Sequence, residues 1–333
     1  MDSLTQIALG GAVGHAVLGS RTGRKAALWG GSLGTLPDLD VVVRFAAPVS
    51  NFIYHRSASH SLLILTLAAP LLAWLISRVQ PLMRETGWRL YLMVWLVLIT
   101  HTLLDALTVY GTQLFWPITD YPVSISSMFI IDPLYPLPLL VGLVIALRHP
   151  FSARAHRANT LALALSTLYL AWGLGIKQHI DHKTEQWMAA NGIEQAQVLS
   201  VPAPLNTLLW RSLVMQEDHY YELFYSLLDG ERLPTAKRWE NRPDLLAQLA
   251  EHRPVQRLAR FTHGFFDVVQ VEDEVWLRDL RMGQLNQPVF NFKVAQWRDG
   301  ELVATPAKRR SLDLQSHDLG WSWRRLTDAS QDW

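Results

Sequence analysis

The sequence predicts a mainly α multi-pass membrane helix bundle followed by a soluble α+β C-terminal domain, and two observations carry that expectation. Four long apolar runs, at residues 62–77, 90–109, 134–147 and 160–176, crowd the first half of the 333-residue chain. The charge is also uneven. Residues 1–176 hold 11 Lys/Arg and 7 Asp/Glu, whereas the rest of the chain holds 19 and 22. A charge-poor half joined to one of ordinary soluble composition marks a domain boundary, set here at 1–178 and 179–333.

Each apolar run approaches the roughly 20 residues that cross a bilayer, although two need their flanks to reach it. Two less apolar segments precede them. Residues 4–18 contain Gly10, Gly11 and Gly14, and residues 26–36 contain Gly30, Gly31 and Gly34. Small residues let helices approach closely in a membrane, so both segments read as short or re-entrant helices inside the bundle. Arg21, Arg24 and Lys25 follow the first segment, Arg78, Arg84 and Arg89 follow the third, and Arg148, Arg154 and Arg157 follow the fifth. With six segments crossing, these basic loops share one side, which the positive-inside rule makes cytoplasmic. Loops 44–60 and 110–132, and everything after Ile176, then face outward. The N-terminus has Asp2 and no basic stretch, so a cleaved signal peptide is not expected.

Beyond Ile176, residues 207–215 and 220–228 flank the polar 216–219 like a hairpin, and residues 265–271 and 274–280 form a second candidate pair. Between them, residues 243–251 open with Pro243 and read as a short helix. A net charge of +1 gives no electrostatic case for nucleic acid. With no cysteine, a metal would have to be held by His, Asp, Glu or Gln.

Four motifs carry candidate chemistry. Asp38 and Asp40 follow Pro37; in an extended stretch, residues two apart point the same way and present two carboxylates to one centre. His55 and His60 lie in HRSASHS. They converge when His55 sits in the loop and His60 in the first helical turn, with Ser57 and Ser59 as suitable N-caps. The helix N-terminus there favours an anion, and Arg56 could assist. His101 and Asp105 are spaced i, i+4 inside an apolar run, so they share a helical face, and an ionisable pair there is costly and by default functional. Asp132 precedes the 134–147 run as a candidate ligand, partner to a ligand, or cap. Under the six-segment topology all of these fall near the outer face. His15 lies about 13 Å along a helix from Gln6, towards the inner side, and joins the site only if its segment is re-entrant or deeply packed. His149, His156, His179 and His182 read as solvated or interfacial.

At these residues the chain resembles the YdjM-like family of inner-membrane metal-dependent hydrolases. The resemblance rests on MDSLTQIALG, LPDLD at 36–40, HRSASHS at 55–61, HTLLD at 101–105, Gly111-Thr112 and FIIDPLY at 129–135, and covers roughly residues 1–180. It implies a bacterial inner-membrane protein named for hydrolase chemistry, with no assigned substrate. Many members carry Thr-His near the start where this chain has Thr5-Gln6, which puts one histidine ligand in doubt and lends His15 weak support.

The expectation is therefore a metal-dependent hydrolase acting on an ester or phosphoester of a lipid or envelope-associated molecule. Its metal ligands are drawn from Asp38, Asp40, His55, His60, His101 and Asp105, with His15, Gln6 and Asp132 as further candidates. Asp40, Asp105 and Arg56 are the candidate catalytic groups. One or two divalent ions, zinc by ligand type, would activate water. Membrane lipids are the expected partners, and the site and C-terminal domain are expected on the periplasmic side. The rivals are a metal transporter or sensor, with ligands spaced through the bilayer's depth, and a structural assembly protein.

Overall fold

A computed structural model describes residues 1–311 and 316–331. It contains two compact units: Met1–Arg44 with Tyr54–Gly173, and Phe45–Ile53 with Leu174–Trp333.

The first unit is helical. α1 (Ser3–Thr22) and α2 (Arg24–Gly34) form a hairpin that turns at Gly23, whose φ of 59° suits glycine. α4 (Leu62–Val79), the short α5 (Pro81–Arg84), α6 (Trp88–Ala106), α7 (Pro136–Arg148) and the first part of α8 (Ala153–Ala190) complete it. α3 (Pro48–Tyr54) falls almost wholly within the second unit. Three helices, α4, α6 and α8, are long and apolar enough to cross a membrane. α2 and α7, of 11 and 13 residues, are shorter, and the 20-residue α1 is glycine-rich and mostly buried. An 11-residue helix rises only about 16 Å, roughly half a ~30 Å hydrocarbon core. Such a helix is stable there only when packed inside others, as α2 is against α1 and α6.

The apolar pattern is inverted relative to a soluble protein. α4 turns Leu63, Leu67, Leu71 and Trp74 outward, and α8 turns out Leu161, Leu165, Leu168 and Trp172. Such contiguous apolar faces suit a hydrocarbon solvent and would be a liability in water. Several polar residues of the helical unit are instead inside: Gln6, His15, His60, His101, Thr102 and Asp105 are each at most 1% exposed.

The second unit contains two antiparallel four-stranded meanders. The first has β1 (Gln197–Pro202), β2 (Leu209–Met215), β3 (His219–Ser226) and β4 (Thr235–Glu240) in sequential order. The second has β5 (Phe266–Val271), β6 (Glu274–Gln284), β7 (Gln287–Arg298) and β8 (Glu301–Ser311), also sequential. α9 (Pro243–Gln248) and α10 (Arg253–Phe261) link the sheets, and α11 (Ser316–Thr327) packs on the first. Both expected hairpins are present, with Met215 opposite Tyr220 and Val271 opposite Glu274. Buried polar pairs tie the sheets together: Glu222 accepts from Arg211 Nε at 2.5 Å and from the backbone of Leu285 and Asn286.

Residues 45–53 differ from the expected loop. Phe52 is 1% exposed and its ring lies 4.8–5.2 Å from those of Phe261, Phe290 and Phe292. The segment is a core element of the second unit although it precedes the rest by about 120 residues of chain. Phe52→Ala is expected to lower stability by about 3–5 kcal/mol, through lost burial and the cavity left behind. Denaturant unfolding followed by tryptophan fluorescence checks this, and a change under about 1 kcal/mol would contradict the packing.

Candidate metal centre

The site begins with backbone contact. At Gly10, Gly14, Gly30 and Gly34 an added Cβ would lie 2.2–2.5 Å from a carbonyl oxygen of the facing helix, so α1 and α2 touch main chain to main chain. That approach places Gln6 and Gly34 beside α6. The Gly34 carbonyl accepts His101 Nδ1 at 2.7 Å, which puts the proton on Nδ1 and leaves Nε2 a lone pair.

After α2 the chain forms a 3-10 helix, Pro37–Val42, rather than the expected extended stretch. Proline at a first helical position costs nothing, because its missing N–H would be unpaired there. At three residues per turn, Asp38 and Asp40 diverge instead of pointing the same way. They reach opposite nitrogens of one ring: Asp38 Oδ1 is 3.4 Å from His60 Nε2, and Asp40 Oδ2 is 3.8 Å from His60 Nδ1.

His60 ends a 3-10 turn, Ala58–His60, and its carbonyl accepts Thr102 Oγ1 at 2.6 Å. The N-cap of α4 is Ser61, whose hydroxyl accepts from Ile64 N and donates to the Trp116 carbonyl. Ser57 and Ser59, expected as caps, are occupied elsewhere, because the turn at 58–60 delays the helix. Ser57 Oγ donates to the Tyr54 carbonyl, and Ser59 Oγ donates to Asp40 Oδ2 at 2.8 Å while lying 2.9 Å from His60 Nδ1.

Asp38, His60, His101 and Asp105 thus offer four ligand atoms that lie within 4.8 Å of one another and could hold a metal ion. His60 Nε2 and His101 Nε2 are 3.2 Å apart. Asp105 Oδ2 lies 3.2 Å and 3.6 Å from them, and Asp38 Oδ1 lies 3.4 Å and 3.6 Å away. Tetrahedral ligands at ~2.0–2.1 Å from an ion are separated by roughly 3.3–3.4 Å, so the spacing fits. The chemistry fits too. Both imidazoles have Nδ1 engaged, so their two Nε2 atoms face each other and two carboxylates, an arrangement that a proton or a metal cation between them would satisfy. Asp105 Oδ2 is buried and accepts no well-formed hydrogen bond among the described residues.

Charge points the same way. Burial opposes ionisation of Asp38, yet the adjoining His101 and His60 imidazoles hold its carboxyl well below the usual range. Burial likewise opposes charge on Asp40, and His55 more than offsets it. Burial would discourage charge on His60, but Asp105 and Asp38 favour its protonated form; a negative field that attracts a proton also attracts a metal cation.

Outside the four lies a supporting layer. Asp40 Oδ1 is 2.9 Å from His55 Nδ1, and Asp40 Oδ2 accepts Arg56 N at 2.9 Å. Arg56 is buried, with Nε 3.2 Å from Asp105 Oδ2, Nη1 donating to Thr108 Oγ1, and its guanidinium 5.2 Å from the Tyr110 ring centroid. Gln6 Nε2 donates to Asp105 Oδ1 at 3.1 Å and to the His101 carbonyl. The Met1 amine also contacts Asp105 Oδ1.

The structure therefore brings Asp38, His60, His101 and Asp105 together, with Asp40, His55, Arg56 and Gln6 adjoining them. Asp132 lies apart, accepting Tyr169 Oη at 2.8 Å and Leu134 N at 3.0 Å just before α7. His15 is also apart, beside the Pro150 carbonyl. Of the later histidines, His156 is half-buried beside His15 rather than solvated. Thr102 and the Gly34 carbonyl escaped notice in the sequence, and Ser59 was expected only as a cap, since no residue type marks a backbone acceptor or a hydroxyl holding a ligand in place.

A helical bundle with membrane-length apolar helices and a buried His/Asp cluster defines the class: an integral membrane protein with a candidate metal centre. The family model described as YdjM inner membrane protein matches residues 1–180, and the chain belongs to that family. No curated protein and no solved structure matched the chain.

Proposed function

We propose that the protein is a membrane-embedded metal-dependent hydrolase that cleaves an ester or phosphoester bond of a lipid or envelope-associated molecule. The observation that carries the reading is the close spacing of four candidate ligand atoms beside a buried arginine and an imidazole–carboxylate pair. Asp38, His60, His101 and Asp105 would hold the ion, and zinc suits a donor set of two imidazoles and two carboxylates. When bound, such an ion polarises a phosphoryl or carbonyl oxygen and lowers the pKa of water.

The chain's own groups supply the rest. Asp40 holds the proton of His55 on Nδ1, which leaves His55 Nε2 able to take a proton from the attacking water and return it to the leaving oxygen. Arg56, whose Nε lies 3.2 Å from Asp105 Oδ2, would hold that carboxylate in place as a ligand and set a positive charge beside an anionic oxygen of the substrate. Ser59 couples Asp40 to His60 and keeps both rings in place.

The basic loops support a periplasmic site. Lys25 Nζ lies 3.3 Å from Gln80 Oε1, and Arg24 Nε donates to the Leu147 carbonyl at 2.6 Å, so the three loops share the end of the helical unit opposite Gln6 and Asp105. By the positive-inside rule that end is cytoplasmic. We assign the site, and with it the C-terminal domain, to the periplasmic side.

The test is a screen of phosphoester and carboxyl-ester amphiphiles with zinc-loaded protein in detergent, beside His55→Ala. The variant is expected to keep its metal while kcat falls by about 10²–10⁴-fold, the usual worth of positioned acid–base help. Absence of turnover on every ester by the metal-loaded wild type would sink the hydrolase reading. Unchanged kcat in the variant would remove His55 from it.

A further inference from the structure

A second set of buried donors lies at the other end of the helical unit. His15 on α1 and Asn159 on α8 are fully buried, and His156 on α8 is half-buried, its ring centroid 5.8 Å from that of His15. His15 Nδ1, His156 Nδ1 and Asn159 Oδ1 are buried atoms without a hydrogen-bond partner among the described residues. Protein interiors leave few polar atoms in this state, and three on one helix–helix contact call for a bound water, ion or ligand.

The chemistry of the three atoms narrows that ligand. His15 Nε2 lies 3.4 Å from the Pro150 carbonyl, a contact that requires the proton on Nε2 and leaves Nδ1 a lone pair. Asn159 Nδ2 donates to the Ala12 carbonyl at 2.8 Å, so its Oδ1 is an acceptor with no donor. Ala12 and His15 are one turn apart on α1, and His156 and Asn159 one turn apart on α8, so the four residues form a single contact between the helices. The His15 ring is held in place as well: a Cβ on Gly19 would fall 2.5–2.7 Å from its ring atoms, so glycine there makes room for the imidazole.

We propose that His15, His156 and Asn159 form a second metal site, separate from the His/Asp centre, which takes a copper or zinc ion. Imidazole nitrogen suits both metals, and an amide oxygen completes a neutral donor set. The set contains no carboxylate. Arg154 and Arg157 flank His156 on α8 and are exposed to solvent. An ion of low charge is therefore favoured, and the two imidazoles suit copper(I), with the amide oxygen only a weak third donor. A ring nitrogen buried in a membrane bundle without a partner is costly, and a bound ion removes that cost.

The experiment is elemental analysis of the full chain in detergent after loading with copper(I) under ascorbate or with zinc(II), for wild type, His15→Ala, His156→Ala and a His60→Ala, His101→Ala double variant. Wild type should hold about two ions per chain, and each of the other three about one. X-ray absorption on the double variant should show an ion bound by imidazole nitrogen and an oxygen. The His/Asp centre can fail without touching this result, because the double variant reports the second site alone. If the double variant takes up neither metal, or if His156→Ala, which alters a half-buried position, keeps as many ions as wild type, the donors hold only water and the proposal is wrong.

Discussion

A His60→Ala, His101→Ala double variant is expected to lose the ion held by the His/Asp centre while remaining folded. These two imidazoles supply half of the donor atoms, and their Nε2 atoms are 3.2 Å apart, so neither can be replaced by a neighbour without rebuilding the turn at 58–60. Two carboxylates left alone would bind a divalent ion far more weakly and without the same geometry. A ligand that binds only the folded state stabilises it by mass action, so a chelator should lower the melting temperature of wild type and leave the variant unmoved. Elemental analysis and chelator-dependent melting together check the expectation. Equal ion content at this centre in the two proteins would show that the cluster is a structural polar network, held by Arg56, Gln6 and the Gly34 carbonyl instead of a cation.

What the sequence revealed about this site follows the range of the interactions involved. His101 and Asp105 could be placed on one face because i, i+4 spacing is a property of a single helix. The hairpins at 209–226 and 266–284 were legible for the same reason, since each is a local alternation around a short turn. Asp38 and Asp40 were assigned one direction because an extended chain was assumed; the 3-10 turn that separates them depends on α2 ending at Gly34, which depends on α1. Helix periodicity put His15 at the far end from Gln6, and there it stays. The partner of Phe52 could not be read at all, because Phe261, Phe290 and Phe292 lie more than 200 residues along the chain. β8 carries Pro306 and the run Lys308, Arg309 and Arg310, a composition that masks a strand in the sequence and that an edge strand accommodates.

Two adjacent glycines should differ sharply when each is replaced by alanine. At Gly30 the new Cβ would lie 2.2 Å from the Gly10 carbonyl oxygen and 3.0 Å from the Gly14 Cα, all backbone atoms that cannot rotate away. At Gly31 it would meet only Ile7, at 3.4–3.5 Å, an ordinary contact. Gly30→Ala must therefore push α1 from α2, with an expected cost of about 3 kcal/mol or more, the upper range for overpacking. Gly31→Ala should be neutral, or gain up to about 1 kcal/mol from the better helix propensity of alanine. The consequence reaches the candidate metal centre. α1 carries Gln6 against Asp105, while α2 carries the Gly34 carbonyl that fixes the His101 ring, and separating the helices moves these supports apart. Gly30→Ala should accordingly lower both the melting temperature and the affinity for zinc, and Gly31→Ala neither. If both variants bind zinc as wild type does, the close helix contact does not position the ligands, and the site must be held by α4 and α6 alone, through Thr102 and the His60 carbonyl.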